Sequence, residues 1–552
     1  MKSLFLYPLL LLFTPLLFAQ IPPPSFEWTR TMGGGQDDEA WTLIVDEDEN
    51  VYVSGVFRGA ICFGDTCVWA HPVNFASGYV AKYDLEGSLL WFHTFTGPGG
   101  GYPTDMAWDE DRQRLYICGG FSGSLRIGSI VLEAYAPWDS LPTVEDAFFM
   151  QIDTDGHVGQ VHQVGGSLDY EILQQISIDE NGNIYLAGYT QSDSIMLPDT
   201  VLVVPPATIG AFPKELFVAS YTPDYQLRFA HLMTTNASGN TPAFNHSIIQ
   251  KDEWYLLGIT GDTTLYDQTY LTSLSERNII TFMLKLDTLG HFQRADITPI
   301  PLTKRKLALD EQANLYVIGS LSGAENITCY NPHGELQWEK RASGSSRGQF
   351  LEIWYQNGAI YVAGVLEESF SGDGFDFDVG SNVQDIFLIR YDLDGNVVWA
   401  KTFGDRYGRE SVLAISGNRQ GNLYLAGTFK GDGLLDNDTL KNIWPFTFDA
   451  WIGRLSTDPQ FPVDIAPFIE PHTLLVYPNP FEDQLLVSGD FETGEIEVEI
   501  MDLRGKRIYH QFMRARKEEA LAIRLDGLTE GMYVLLLRQQ GRLWRQKVVR
   551  EW

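Results

Sequence analysis

The chain has 552 residues, and its 39 Lys and Arg against 72 Asp and Glu give a net charge of -33. With 44% hydrophobic and 20% charged residues it has the material for a large core, which excludes wholesale disorder, and four cysteines are too few for a disulfide scaffold. Basic residues cluster only in short isolated runs such as Lys304-Arg305-Lys306, which excludes a surface that tracks nucleic-acid phosphates.

The first element in chain order is an export signal, residues 1–19. Lys2 precedes an apolar run from Leu4 to Phe18 that closes on Ala19. At about fifteen residues, interrupted by Pro8 and Pro15, the run falls short of the roughly twenty that a transmembrane helix needs, and no other stretch approaches that length. Cleavage after Ala19 is expected, and the first cysteine, Cys62, is too distant for lipid attachment there. Export places the cysteines in a disulfide-permissive compartment. Cys62 and Cys67 flank Phe-Gly-Asp-Thr and suit a local bridge, while Cys118 and Cys329 sit in apolar strand patterns and read as buried thiols.

Residues 20–456 repeat. A strand of the form Tyr-x-x-Gly ends at Gly55, Gly119, Gly188, Gly258, Gly319, Gly364 and Gly427. Each is followed by an alternating strand that runs into a polar turn, as at Tyr79 to Asp84 and Phe387 to Asp392, and then by an aromatic strand such as Leu90 to Phe95 or Val398 to Phe403. A further strand precedes each Tyr-x-x-Gly across a tight turn, as in Ile176 to Ile184 with its Asn-Gly. Four strands, seven times over, predict an all-β fold: a seven-bladed β-propeller. The copy at Phe26 to Thr31 comes first, and the last repeat ends at Ser456 without one, so the N-terminal strand is expected to complete the last blade and close the ring. Long insertions after the Tyr-x-x-Gly strand fall on one face. The fifth repeat lacks one, which makes it the shortest.

Phe375-Asp-Phe-Asp-Val-Gly380 and Asp385 to Gly404 resemble the repeat of secreted bacterial propellers known as SBBP repeats. The resemblance covers about Phe26 to Ser456, weakest in the fourth and fifth repeats, and implies a fold and an extracytoplasmic setting without a reaction.

Pro459, Pro462, Pro467 and Pro471 mark 457–472 as an extended linker. Beyond it the charge changes: 12 basic and 13 acidic residues, against 27 and 59 upstream. Short strands separated by turns predict a small Ig-like β-sandwich over 473–552. Tyr477-Pro-Asn-Pro-Phe481, Leu528 to Val534 and the terminal Lys547-Val-Val resemble the type A C-terminal sorting domain of the type IX secretion system. Pro478, Asn479, Pro480, Gly531, Tyr533 and Lys547 carry the pattern. It implies passage through the periplasm, recognition by the outer-membrane translocon, and display on the surface or release.

No catalytic constellation emerges. Gly344 to Gly348 fits Gly-x-Ser-x-Gly, but a β run follows where a hydrolase elbow needs a helix. No cofactor is implied. The acidic turns at Asp46, Asp153 and Asp392 invite calcium, yet turn chemistry accounts for them and no metal ligand set is assigned. Candidate ligand-binding residues lie in the loops of the long-insertion face: Asp38 and Glu39; Tyr102 and Asp105; Asp169 and Tyr170; Arg347; Asp405, Arg406 and Tyr407. Trp69, Trp138 and Trp444, in insertions on that face, are candidates for stacking on sugar rings. The expectation is a surface-displayed or secreted protein that binds carbohydrate or a protein. The alternative is a carbohydrate hydrolase or lyase using carboxylates at the channel mouth.

Overall fold

The computed structural model describes residues 23–456 and 475–550, apart from 71–75, 136–143, 167–169, 206–213, 236–241, 261–262, 267–268, 273–279, 299–305, 322, 345–347, 405–407, 419, 437, 445, 480, 482, 490, 492, 503–506, 518–519, 526–530 and 540–541. Among the described residues there is no helix, and hence none long and apolar enough to cross a membrane.

The first repeat shows how the chain is built. β1 (Ser25–Gly33) is followed by β2 (Asp38–Val45), β3 (Val51–Phe57), the hairpin β4 (Ala60–Phe63) and β5 (Thr66–Trp69), β6 (Ser77–Tyr83) and β7 (Leu89–Phe95). β2, β3, β6 and β7 pair in that order as an antiparallel meander. Every residue of β3 and β6 is buried, because these central strands pack on neighbouring meanders through both faces.

The meander recurs with first strands at Gly101–Asp109, Glu171–Ile178, Ala243–Gln250, Lys306–Leu309, Gln349–Gln356 and Arg409–Gly417. The last has three strands of its own and takes its fourth from β1, which pairs with Phe448–Ser456 in a register that sets Thr31 against Trp451. Each first strand contacts the first strand of the next meander, and that of the last contacts β2. Apolar clusters fill the spaces between neighbours. Trp28, Met32, Ala40, Tyr424 and Ile452 join the last meander to the first. Between the fourth and fifth the cluster is smaller, built on Tyr255, Leu257, Leu307 and Val317.

Close contacts explain the repeat signals. In every meander except the fifth, the first strand bulges opposite the Tyr-x-x-Gly strand. The bulge brings backbone onto the glycine: a Cβ on Gly55 would lie 1.9 Å from the Glu39 carbonyl oxygen, and one on Gly427 1.8 Å from that of Ser411. The buried tyrosine needs a partner for its hydroxyl. Tyr52 donates to Asp46 at 3.1 Å, Tyr185 to Asp179 at 2.9 Å and Tyr316 to Asp310 at 3.0 Å. Each of these aspartates also receives the backbone N–H four residues on, closing the turn between first and second strand. The Asp392 turn works alike, with Oδ1 accepting from the N–H groups of Asp394 and Asn396.

The C-terminal residues form two antiparallel sheets. One pairs 475–477, 484–488 and 521–524, and the other orders 507–515, 494–502, 531–539 and 542–550. Leu485, Val487, Val498, Ile500, Ile523, Leu535 and Leu537 from both sheets share one core.

Candidate functional site

The candidate residues fall into three places. The first is the seam between the last and first meanders, where β1 runs into Gly33-Gly34-Gly35 and then β2. Asp38, at the start of β2, and Asp449, near the start of Phe448–Ser456, are both fully buried. The glycine turn makes room, since a Cβ on Gly33 would sit 2.2 Å from Asp449 Cγ. The Gly34 N–H serves both carboxylates. Asp38 Oδ1 also accepts from the Arg58 N–H at 3.3 Å, and Asp449 Oδ2 from the Ile443 N–H at 2.9 Å. Asp38 Oδ2 and Asp449 Oδ1 accept from no donor of the protein. Burial, then the Asp449 charge, pushes the Asp38 carboxyl up to about 9; burial pushes Asp449 up to about 6.

The second and third meanders meet in the same way. A Cβ on Gly165 would lie 2.5 Å from Asp146 Cγ. Asp146 Oδ2 accepts from the Tyr135 N–H at 2.8 Å, and Glu171 Oε1 from Thr190 Oγ1 at 2.7 Å. Asp146 Oδ1 and Glu171 Oε2 again accept from no protein donor. Burial raises Asp146 to about 6 and Glu171 to about 7, the latter helped by the Asp146 charge. Of these four carboxylates the sequence candidates included only Asp38. Asp146 and Asp449 were legible as acidic residues opening the strand after an insertion.

The seam also gathers aromatic surface. The β4–β5 hairpin, closed by a Cys62–Cys67 disulfide, pairs with the end of β1 through Met32 to Phe63 and Gly33 to Cys62. Trp69 stands opposite Ala60 in that hairpin, and the Ala60 carbonyl packs against Gly34. On the other side, Trp444 Nε1 lies 3.6 Å from a Cβ built on Gly35. Trp69 is 72% exposed, Trp444 58% and Phe446 82%. Large aromatic side chains of the first and last meanders therefore flank one glycine turn, open to solvent. Glu39 turns away from this patch to accept from Trp41 Nε1 at 2.7 Å.

The second place is a polar cluster between the second and third meanders. Tyr102 donates to Glu145 Oε2 at 2.7 Å, the backbones of Glu145 and Tyr170 form a parallel β-bridge, and Lys214 stands 4.1 Å over the Tyr189 ring. Burial raises the Tyr102 hydroxyl well above its usual range. Glu145, Tyr189 and Lys214 were not among the sequence candidates. Trp138, Asp169, Arg347, Asp405, Arg406 and Tyr407 lie outside the described residues.

The third place is a cavity between the first strands. Its volume is about 490 Å³, and the first strands of all seven meanders line it. Of the sequence candidates, Asp105 alone reaches it. Its Oδ2 accepts the Ile176 N–H at 3.0 Å, and burial raises its carboxyl to about 6 against the opposing Lys306 charge. Lys306 Nζ stands 3.4 Å from Glu352 Oε1. His246, readable from sequence only as a strand histidine, also lines the cavity; burial and Lys306 hold its imidazole well below its usual pKa and therefore neutral. Cys118 and Cys329 are free and buried.

In the C-terminal part, Asn479 Oδ1 accepts the Val549 N–H at 2.8 Å, and the Phe481 N–H donates to the Val549 carbonyl at 2.8 Å, so Asn479 and Phe481 pin the last strand. Pro478 follows Tyr477 through a cis peptide. Gly531 and Lys547 are at strand positions 531–539 and 542–550, Tyr533 is buried, and Pro480 lies outside the described residues. Glu497, Glu499 and His510 converge closely enough to ligate an ion. Arg538 already lies 3.5 Å from Glu497 and 3.0 Å from Glu499, which supplies the positive charge there.

Residues 475–551 match the family model of the secretion system C-terminal sorting domain, and residues 161–195 match that of the β-propeller repeat. The sorting domain marks proteins exported by type IX secretion to the cell surface or into the medium. No curated protein matches the chain. Among solved structures, the chain is similar to a protein of unknown function from Bacteroides caccae, at 9% identity and a TM-score of 0.30, over 67% of this chain and 94% of that one. It is also similar to the Dos1 propeller, at 6% identity and a TM-score of 0.37, over 79% and 96%. A third likeness is to a prolyl endopeptidase, at 11% identity and a TM-score of 0.34, over 71% of this chain and 47% of that one.

Proposed function

We propose that the chain is an exported carbohydrate-binding protein, its residues 20–456 a seven-bladed propeller closed by the N-terminal strand and its residues 473–552 a small sandwich read by the secretion machinery. The signal over residues 1–19 takes it across the inner membrane, and the C-terminal domain directs it across the outer one. The observation that carries the ligand class is the exposure of Trp69 and Trp444 on the two sides of the Gly33–Gly35 turn. Aromatic rings left in water on loops of a rigid scaffold offer flat apolar faces to the C–H face of a sugar. A net charge of -33 disfavours anionic polymers, so the reading is a neutral polysaccharide.

The test is binding of the exported protein to an array of polysaccharides and glycans, repeated with Trp69→Ala and Trp444→Ala. Selective binding of a neutral glycan, weakened at least tenfold by either substitution, is expected. A blank array, or binding indifferent to both substitutions, overturns the reading.

A further inference from the structure

The paired registers place one residue of each meander at the same level of the channel. Each pairs with the residue just before the glycine of Tyr-x-x-Gly: Thr42 with Ser54, Asp105 with Cys118, Gln175 with Ala187, His246 with Leu257, Lys306 with Ile318, Glu352 with Ala363 and Ala414 with Ala426. This belt lies about four residues into the first strands, on the order of 10 Å below the long-insertion face. Its composition is lopsided. Five consecutive meanders supply Asp105, Gln175, His246, Lys306 and Glu352, of which all but Gln175 line the cavity, and the arc is completed by a small polar and a small apolar residue.

We infer that this belt is a second binding site, which takes a single sugar residue within the channel. The belt offers both kinds of hydrogen-bonding group in a small space. His246 Nδ1 accepts the Leu307 N–H at 3.4 Å, which leaves Nε2 to carry the proton of the neutral ring and donate. Lys306 is a second donor. Asp105 is an acceptor, and Glu352, beside Lys306, is another. A hydroxyl both donates and accepts, so a polyhydroxylated ring can satisfy alternating groups of this kind where a purely anionic or cationic ligand cannot. Two residues along each strand, on the same side, the lining turns apolar with Ile44, Ile248 and Ala308 and includes Trp354. Trp354 Nε1 is anchored on Gln356 Oε1 at 3.0 Å, and the indole provides a ring face beneath the polar belt. The cavity of about 490 Å³ is of a size that encloses small ligands.

This inference rests on the carbohydrate reading but concerns a different place, and the two fail separately. The experiment is calorimetric titration of the mature exported protein with free neutral hexoses, N-acetylhexosamines and hexuronic acids. It is repeated on Asp105→Asn, Glu352→Gln and Trp354→Phe, and on the Trp69→Ala, Trp444→Ala double variant. At least one sugar class is expected to bind, and Asp105→Asn and Glu352→Gln to weaken it about tenfold each. The double variant at the rim is expected to bind the free sugar as the parent does. Trp354→Phe keeps a ring in place and is expected to reduce the sugar-induced change in tryptophan fluorescence, the remainder coming from Trp41 and Trp108 of the same lining, which serves if a carboxylate variant fails to fold. No uptake of any of the three classes overturns the inference. So do unchanged affinities in Asp105→Asn and Glu352→Gln, or an unchanged fluorescence response in Trp354→Phe. Sugar uptake that the rim variant abolishes assigns the sugar to the rim and overturns the channel site alone. A blank polysaccharide array beside intact sugar uptake counts against the rim alone.

Discussion

Asp38→Asn should stabilise the protein at neutral and alkaline pH and do little in acid. Asp38 and Asp449 are fully buried, each has one oxygen that accepts from no protein donor, and burial together with the Asp449 charge favours the protonated form of Asp38. The folded carboxyl holds its proton up to about 9, whereas the unfolded one ionises near the ordinary 3.8. A raised folded pKa contributes stability that is complete below 3.8 and lost as pH rises through about 9. At about 1.4 kcal/mol per pH unit, the loss between pH 4 and pH 8 is about 5 kcal/mol. Asn keeps the shape of the protonated acid, donates an N–H in place of the O–H, and has no proton to lose. Unfolding entropy scales with chain length, so about 1 kcal/mol corresponds to roughly 1 °C for a body of this size. Melting temperatures of parent and variant, measured by scanning calorimetry at one scan rate, should differ by about 1–2 °C at pH 5 and about 5 °C at pH 8. A pH-independent difference, or a variant that melts lower at pH 8, would refute a protonated, buried Asp38.

Glu171→Gln should show the same trend with an earlier plateau, its advantage growing from pH 4.5 to about 7 and then levelling, because Glu171 is raised only to about 7; a melting series across that range checks it. Replacing Cys62 and Cys67 by Ser removes a short loop closure worth about 2 kcal/mol by the chain-entropy estimate. Since the hairpin they close pairs with β1, amide exchange at Met32 and Gly33 should accelerate along with the fall in melting temperature. A chain ending at Glu470 should stop in the periplasm, which fractionation and immunoblotting would show; its appearance on the surface or in the medium would contradict the role of residues 475–551.

What could be read from the sequence was whatever the fold forces on every repeat. Gly55 and Gly427 recur because the bulged first strand leaves no space for a Cβ, and Tyr52, Tyr185 and Tyr316 recur because an aspartate six residues earlier receives their hydroxyls. The pairing of β1 with the last meander was legible as well, from one outer strand too many at the start and one too few at the end. The partners of Asp38 and Glu171 were not, since Asp449 and Asp146 reach them across a seam that no local spacing encodes. The channel belt was hidden for the opposite reason. Its level is fixed by register, but its residues run from Lys306 to Ala414 with no shared chemistry, and only strand pairing aligns them. Glu39 shows the cost of reading loops by residue type, because its carboxylate is spent on Trp41.

The central structural claim is that β1 closes the ring. Native-state amide hydrogen exchange over Ser25–Gly33 tests it most directly, since alternate amides of this strand are hydrogen-bonded to Phe448–Ser456 if the account is right and all face water if it is wrong. The account predicts that those amides of Trp28 to Met32 that face Phe448–Ser456 are protected comparably to the amides of Ala450 to Leu455. Exchange of β1 at the rate of an unpaired segment, with Ala450 to Leu455 still protected on their other edge by Leu423–Lys430, would contradict it.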